Sequence, residues 1–245
     1  MRSAAFWLGL VLLLPGMSWA SEKPVVRVAF MGFAGYAELD DSGRVVGKVE
    51  RLMSRLLTEA GYQMDATLLP AARIWQGLEN GSVHAWPGML SKPVMDTHTL
   101  LTGRDLGLIR IALYYPPGTP PPRWPDDLVE RTVITITNFT YTSDIWAVLH
   151  DPARHLKINR TNSHEGALQM LQRGRGDYLL NYAAQVEPAM QKLDMQPLPS
   201  VPIADVPMRV VLSRQWAFSE QLRRDLDAAF DRLAARGVEL DVTRQ

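Results

Sequence analysis

An α/β fold resting on mainly parallel sheet is predicted for this chain by three observations. Short Val-rich runs alternate with amphipathic helical stretches, glycine stands where several of those stretches end, and 47% of the 245 residues are hydrophobic, enough to bury a sizeable core. Residues 25–31 form an apolar run of the kind that a parallel strand buries on both faces. Val49, Leu52, Met53, Leu56, Leu57 and Ala60 then recur at helical spacing, and Gly61 takes the place of a C′ glycine. Residues 64–69 read as strand, Pro70 opens a helix through Ile74, Trp75 and Leu78 to Asn80-Gly81, and residues 83–86 read as a third strand. A βαβαβ order implies right-handed crossovers, with ligands bound outside the carboxyl ends of the strands.

The same rhythm continues. Residues 106–115 are a predicted strand, and residues 116–125 contain six prolines, which fit an extended surface loop and no sheet interior. Strand is predicted at 132–137, helix at 143–150 and strand at 156–159. Asn162 is expected to cap the next helix with Glu165 at the capping-box position, and Ala167, Leu168 and Leu171 lead to Gly174. A strand at 178–181, a helix at 183–192, a return through Pro197, Pro199 and Pro202, and a strand at 206–213 follow. Leu222, Leu226, Phe230 and Leu233 stripe a last helix, 219–236, stopped by Gly237.

Composition excludes several classes of function. Lys plus Arg and Asp plus Glu each number 26, so no basic footprint for nucleic acid exists. The absence of cysteine excludes disulfides, zinc ribbons, Fe–S clusters, thiol nucleophiles and an acylated lipoprotein cysteine. Residues 1–20 read as a cleavable secretory leader: Arg2 charges the start, residues 4–14 are uncharged, and Ser18 and Ala20 are small residues at the cleavage site. A retained anchor is the alternative, but eleven apolar residues fall short of the roughly 20 that a membrane span needs. Export to a periplasm is the expectation. L-x-x-G-x-x-[HD] occurs twice, at Leu78 to His84 and at Leu171 to Asp177, which suits two similar lobes and is also common helix-to-strand grammar.

Taken in order, Asp41-x-Gly43-x-x-x-Gly47, Pro70-x-x-Arg73 with Leu78-x-x-Gly81, Asp127-Leu128 and Leu171-x-x-Gly174-x-x-Asp177 resemble the family 3 extracellular solute-binding proteins. The resemblance implies a type II periplasmic-binding-protein fold: two α/β lobes, each a mainly parallel sheet flanked by helices, joined by two crossover segments. It places residues 23–103 with 200–245 in lobe one, 111–199 in lobe two and 104–110 in the hinge. It implies a monomer that closes on a small polar ligand, classically an amino acid, for an ABC permease. The family's carboxylate-binding arginine has no counterpart in the stretch Ser91-Lys92-Pro93-Val94-Met95-Asp96, and Tyr182 stands where its amine-binding aspartate belongs. Asp96 is a candidate for attracting a cationic ligand, and Lys92 an anionic one.

Candidate ligand-binding residues are Phe33, Tyr36, Arg73, Trp86, Ser91, Asp96, Thr140, Tyr141 and Tyr182. Phe33, Tyr36 and Trp86 would wall the cleft with rings, the alternative for Phe33 and Trp86 being core positions. Arg73 in the first turn of a helix opposes the macrodipole, which a cleft anion would explain, and a solvated arginine explains equally well. Residues 140–143 between strand and helix offer hydroxyls and N–H groups to an anion, or merely cap the helix. The five histidines show no metal-ligand spacing and no G-x-S-x-G elbow exists after the leader, so no cofactor or metal is expected. His84 reads as a structural hydrogen bond at a strand start. The enzyme alternative is a periplasmic cyclohexadienyl-dehydratase-like protein with Glu187 as its general acid, and a third reading is a sensor that engages a membrane receptor in place of a permease.

Overall fold

The computed structural model describes residues 23–89, 97–137, 139 and 141–244. The expected leader lies outside them, as do Ser91, Lys92, Asp96 and Thr140. The chain begins with β1 (Val26–Phe30), the hairpin β2 (Glu38–Leu39) and β3 (Val45–Val46), α1 (Lys48–Glu59), β4 (Met64–Leu68), α2 (Ala71–Asn80) and β5 (Ala85–Gly88). β1 pairs in parallel with β4 on one side and β5 on the other, the βαβαβ unit that the apolar runs predict. α1 forms where the stripe requires it: Val49, Leu52, Met53, Leu56 and Leu57 are buried against this sheet, and Gly61 leaves the helix in the left-handed conformation at φ 80°.

β6 (Thr99–Leu101), β7 (Gly107–Tyr114), β8 (Thr132–Ile136), α3 (Ser143–Leu149), β9 (Lys157–Thr161), α4 (His164–Gln172), β10 (Tyr178–Tyr182) and α5 (Ala183–Lys192) follow. β11 (Ser200–Ser213) and α6 (Ser219–Ala235) complete the fold. The strand order is β4-β1-β5-β11-β7-β10-β8-β9, with β6 also on β11. β8 lies in parallel between β10 and β9, while β11 runs antiparallel to β5, β6 and β7.

This order makes two lobes from one sheet. The first half of β11 pairs with β7 from Ser200↔Tyr114 to Met208↔Gly107, and its last residues pair with β5 and β6. β7 and β11 therefore carry the chain between the β1 side and the β8 side. On the β1 side, α1 and α6 cover one core, which includes Phe30, Met53, Leu56 and Leu226. Trp75 and Leu78 of α2 fill another with Trp86. On the β8 side, Leu168 and Val186 of α4 and α5 pack in one cluster and Ile145 and Leu149 of α3 in a second. Among the described residues no helix is long and apolar enough to cross a membrane.

Two local expectations need correction. Ser163, and not Asn162, caps α4, its Oγ accepting the Gly166 N–H at 3.0 Å. Glu165 then falls one position early for a capping box, and its carboxylate pairs with Lys192 at 2.9 Å. The last strand begins at Ser200, not at residue 206. Its extension through Pro202 is accommodated by a register shift between Pro202 and Ala204 in the pairing with β7. The turn of the D-x-G motif is built by Asp40, one residue before Asp41: its Oδ1 accepts the Ser42 and Arg44 N–H groups, both at 2.9 Å. The Ser42 hydroxyl and Arg44 hold the Asp40 carboxyl well below the usual carboxylate range.

Candidate functional site

Phe33 and Tyr36 sit on the loop between β1 and β2, whose shape is set by backbone bonds. The Phe33 N–H donates to the Ala37 carbonyl at 2.8 Å, and the Ala37 and Tyr36 N–H groups return to the Phe33 carbonyl at 2.8 and 3.0 Å. The first turn of α1 holds the loop from the other side, Lys48 N–H donating to the Gly35 carbonyl and Val49 N–H to the Tyr36 carbonyl. Gly47 makes the approach possible. Its φ is 133°, and a Cβ there would stand 2.3 Å from the Tyr36 carbonyl oxygen. Burial, and secondarily the Asp241 carboxylate, push the Tyr36 phenol up from its ordinary pKa, so it stays a neutral hydroxyl.

Phe33 then crosses to the other lobe. Its ring meets Phe139 edge-on at 5.7 Å between centroids and Tyr182 at 6.2 Å. Tyr182 stacks on Phe139 at 4.7 Å and stands edge-on to Tyr141 at 6.2 Å. The Tyr141 hydroxyl is buried and donates to the Leu180 carbonyl at 3.0 Å. Tyr182 is held by its neighbour: fully buried Asn181 accepts the Tyr182 N–H at 2.8 Å, which turns its amide nitrogen toward His164 Nδ1 at 3.1 Å. His164 must accept that bond, so its proton sits on Nε2. Burial lowers its pKa and favours the same neutral form.

Two cavities flank this aromatic seam, each lined from both lobes. One, of about 100 Å³, lies at the base of the cleft beside β7 and β11 and is walled by Met31, Phe33, Tyr36, Trp86, Met89 and Tyr182 among others. Arg110 is the only charged side chain among its described lining residues, and its guanidinium forks onto Asp205 with two bonds of 2.8 Å. The other, of about 310 Å³, separates the start of α2 from the lobe-two sheet and is lined by Ala71, Trp75, Thr137, Phe139, Tyr141 and Arg160 among others.

Phe33, Tyr36, Trp86 and Tyr182 thus meet at one cavity and Tyr141 at the other. Trp86 also serves the core, standing edge-on to Trp75 at 4.7 Å and folding over Gly88, where a Cβ would come 2.1 Å from the indole. Arg73 is exposed and lines neither cavity. Glu187, the nominated acid, is likewise exposed on α5 and lines neither. His84 is the structural residue it was expected to be: Nδ1 accepts the Arg27 N–H at 3.2 Å and the ring stacks on Trp216 at 4.1 Å. Among the described residues no three His, Asp or Glu side chains converge to hold a metal ion. Sequence reasoning missed Met31, Phe139, Met89, Gln185 and Met208, which carry no local motif.

No family model and no curated protein matches the chain. Among solved structures, an ancestral arginine-binding protein bound to arginine is 16% identical, with TM-score 0.70 over 89% of this chain and 96% of its own. A histidine kinase sensor domain with similarity to periplasmic binding proteins is also 16% identical, with TM-score 0.70 over 87% and 91%. An ancestral amino-acid-binding protein, a precursor of cyclohexadienyl dehydratase, is 15% identical, with TM-score 0.67 over 88% and 91%. At these identities the likeness is one of fold: this chain has the two-lobed architecture of the periplasmic binding proteins.

Proposed function

We infer that the protein is a periplasmic solute-binding protein, exported by the leader at residues 1–20, that captures a small polar ligand between its lobes by hinge closure for ABC-type uptake. In this reading residues 23–103 with 200–245 form one jaw, 111–199 the other and 104–110 part of the hinge, with β7 and β11 passing between them. The observation that carries it is the cavity lined by Phe33 and Trp86 from one lobe and Tyr182 from the other, beside the two strands that join the lobes. A site shared by two bodies on a common strand pair is closed by ligand and opened by its loss. The solved neighbours that bind arginine support ligand capture. The sensor-domain neighbour supports the same capture read by a membrane receptor, and a gene for a permease beside this one separates the two.

A thermal-shift screen against amino acids, polyamines, organic acids, sugars and prephenate-like compounds tests the reading. A ligand at 100 times its Kd stabilises by about 2.7 kcal/mol, several degrees for a chain of this size. A stabilising compound recovered unchanged after hours is the expected result. Its conversion would favour a dehydratase-like enzyme, and the absence of any stabilising compound would overturn the reading.

A further inference from the structure

The cavity between α2 and the lobe-two sheet contains a cation that no other described side chain uses. β8 and β9 run in parallel with Thr135 opposite Arg160, so Thr135, Thr137, Ile158 and Arg160 share one face of the sheet at the carboxyl ends of the two strands. All four line the cavity, and Ala71, Ala72 and Trp75 at the start of α2 face them from the other lobe. Arg160 is the only charged side chain among the described lining residues, and it makes no hydrogen bond, ion pair or ring contact with a described residue. Asn138 and Thr140, which lie outside the described residues in this stretch, are uncharged by identity. The apolar walls are rings, Trp75, Phe139, Tyr141 and Trp146, and the Tyr141 hydroxyl is already bonded to the Leu180 carbonyl. In water an exposed guanidinium keeps its hydration. A ligand that fills the cavity displaces that water, and an anion with two oxygens replaces it through the bidentate fork.

We propose that Arg160, with the Thr135 and Thr137 hydroxyls beside it, binds the carboxylate of a ring-bearing organic acid whose flat body packs against Trp75 from lobe one and Phe139 and Trp146 from lobe two. The size agrees, since an apolar cavity of about 150 Å³ holds one benzene ring and this one measures about 310 Å³. The assignment rests on the cleft being a ligand site and names the class of ligand that it takes. It uses a charge that is present, on β9 of lobe two, where the resemblance to solute-binding proteins expects the carboxylate-binding arginine after the third strand of lobe one.

Phenylacetate and indole-3-acetate serve as probes, each beside its amide, which has the same shape and no charge, in calorimetry and in NMR of protein carrying 15N-labelled tryptophan. The expected result is that each acid binds about tenfold or more tighter than its amide and gives NOEs from its ring to the indole N–H groups of Trp75 and Trp146. Trp216, which stacks on His84 and lines neither cavity, remains silent. Arg160→Gln should weaken the acids about tenfold or more and change the amides by less than about twofold, because only the carboxylate loses its partner. Arg131→Gln removes the same charge beside the opposite end of β8, where Arg131 faces Asp177, and should change neither by more than about twofold. The acid-to-amide ratio and the NOE pattern need no variant and stand if Arg160→Gln fails to fold. Amides that bind as tightly as the acids, or an Arg160→Gln protein that binds the acids as the parent does, overturn the assignment and leave the solute-binding reading intact. Silence from these four compounds while another compound of the broader screen stabilises the protein does the same. Silence from every compound in both sets overturns both.

Discussion

The ring of Phe33, on the loop after β1, stands at 79° to the ring of Phe139 with 5.7 Å between their centroids, and this contact joins the two lobes. Its geometry is the edge-to-face arrangement that aromatic quadrupoles favour. Tyr182 lies behind Phe139 at stacking distance and also reaches Phe33, so the seam is a three-ring cluster with one ring from lobe one and two from lobe two.

Phe33→Ala removes both cross-lobe ring contacts. At about 0.5–1.5 kcal/mol for each aromatic pair, the closed arrangement should lose about 1–3 kcal/mol relative to an open one. Small-angle scattering of the ligand-free protein should show a larger radius of gyration for the variant, with its circular dichroism unchanged. Identical scattering curves would show that the seam does not hold the lobes together.

Gly47→Ala tests how the Phe33 loop is anchored. A side chain at φ 133° is strained, and its Cβ collides with the Tyr36 carbonyl that accepts from Val49. Strain of this kind costs about 1–3 kcal/mol, and relief by moving the loop would carry Phe33 away from Phe139. Urea denaturation should report the loss and tryptophan or NMR probes of the cleft the movement. A variant as stable as the parent would contradict the close packing described.

His84 makes stability depend on pH. Burial, with a smaller push from Arg27, brings its pKa down to about 4, against about 6.5 in an unfolded chain. Between those values the unfolded chain takes a proton that the folded one refuses. Its contribution is therefore complete above pH 6.5 and is lost as pH falls toward 4, with a slope of up to about 1.4 kcal/mol per pH unit. His164 is shifted the same way, so the comparison of interest is the parent against His84→Asn. The variant should show a flatter slope between pH 4.5 and 6.5 in denaturant titrations, and equal slopes would remove His84 from the acid response.

Asp205→Asn should do little to stability. The Arg110–Asp205 pair is bidentate, but its side chains are 58% and 39% exposed, and solvent-screened pairs contribute about 0–1 kcal/mol. A loss above about 1.5 kcal/mol in urea would mean that the pair stiffens β7 against β11 beyond its Coulomb energy.

Much of the fold is legible locally. The stripe of α1 and the glycines Gly61 and Gly81 at helix ends follow from spacing and caps, because a helix satisfies its hydrogen bonds within its own segment. The strands are less so. β5 falls at residues 85–88, where the apolar run suggests 83–86, and β6 and the β2–β3 hairpin carry too few residues to announce themselves. The start of β11 at Ser200 depends on β7, about 90 residues earlier in the chain, offering partners to a Pro-containing segment.

By itself the sequence determined the alternation of strand and helix and the aromatic residues of the loop after β1. Those are properties of residue type and short-range spacing. Only the tertiary structure decided that Phe33 faces Phe139, that Gln185 lines a cavity beside methionines of the other lobe, and that Arg73 and Glu187 are exposed. Each of these depends on how two lobes joined by β7 and β11 bring together side chains tens to more than a hundred residues apart, and no local pattern encodes such a meeting.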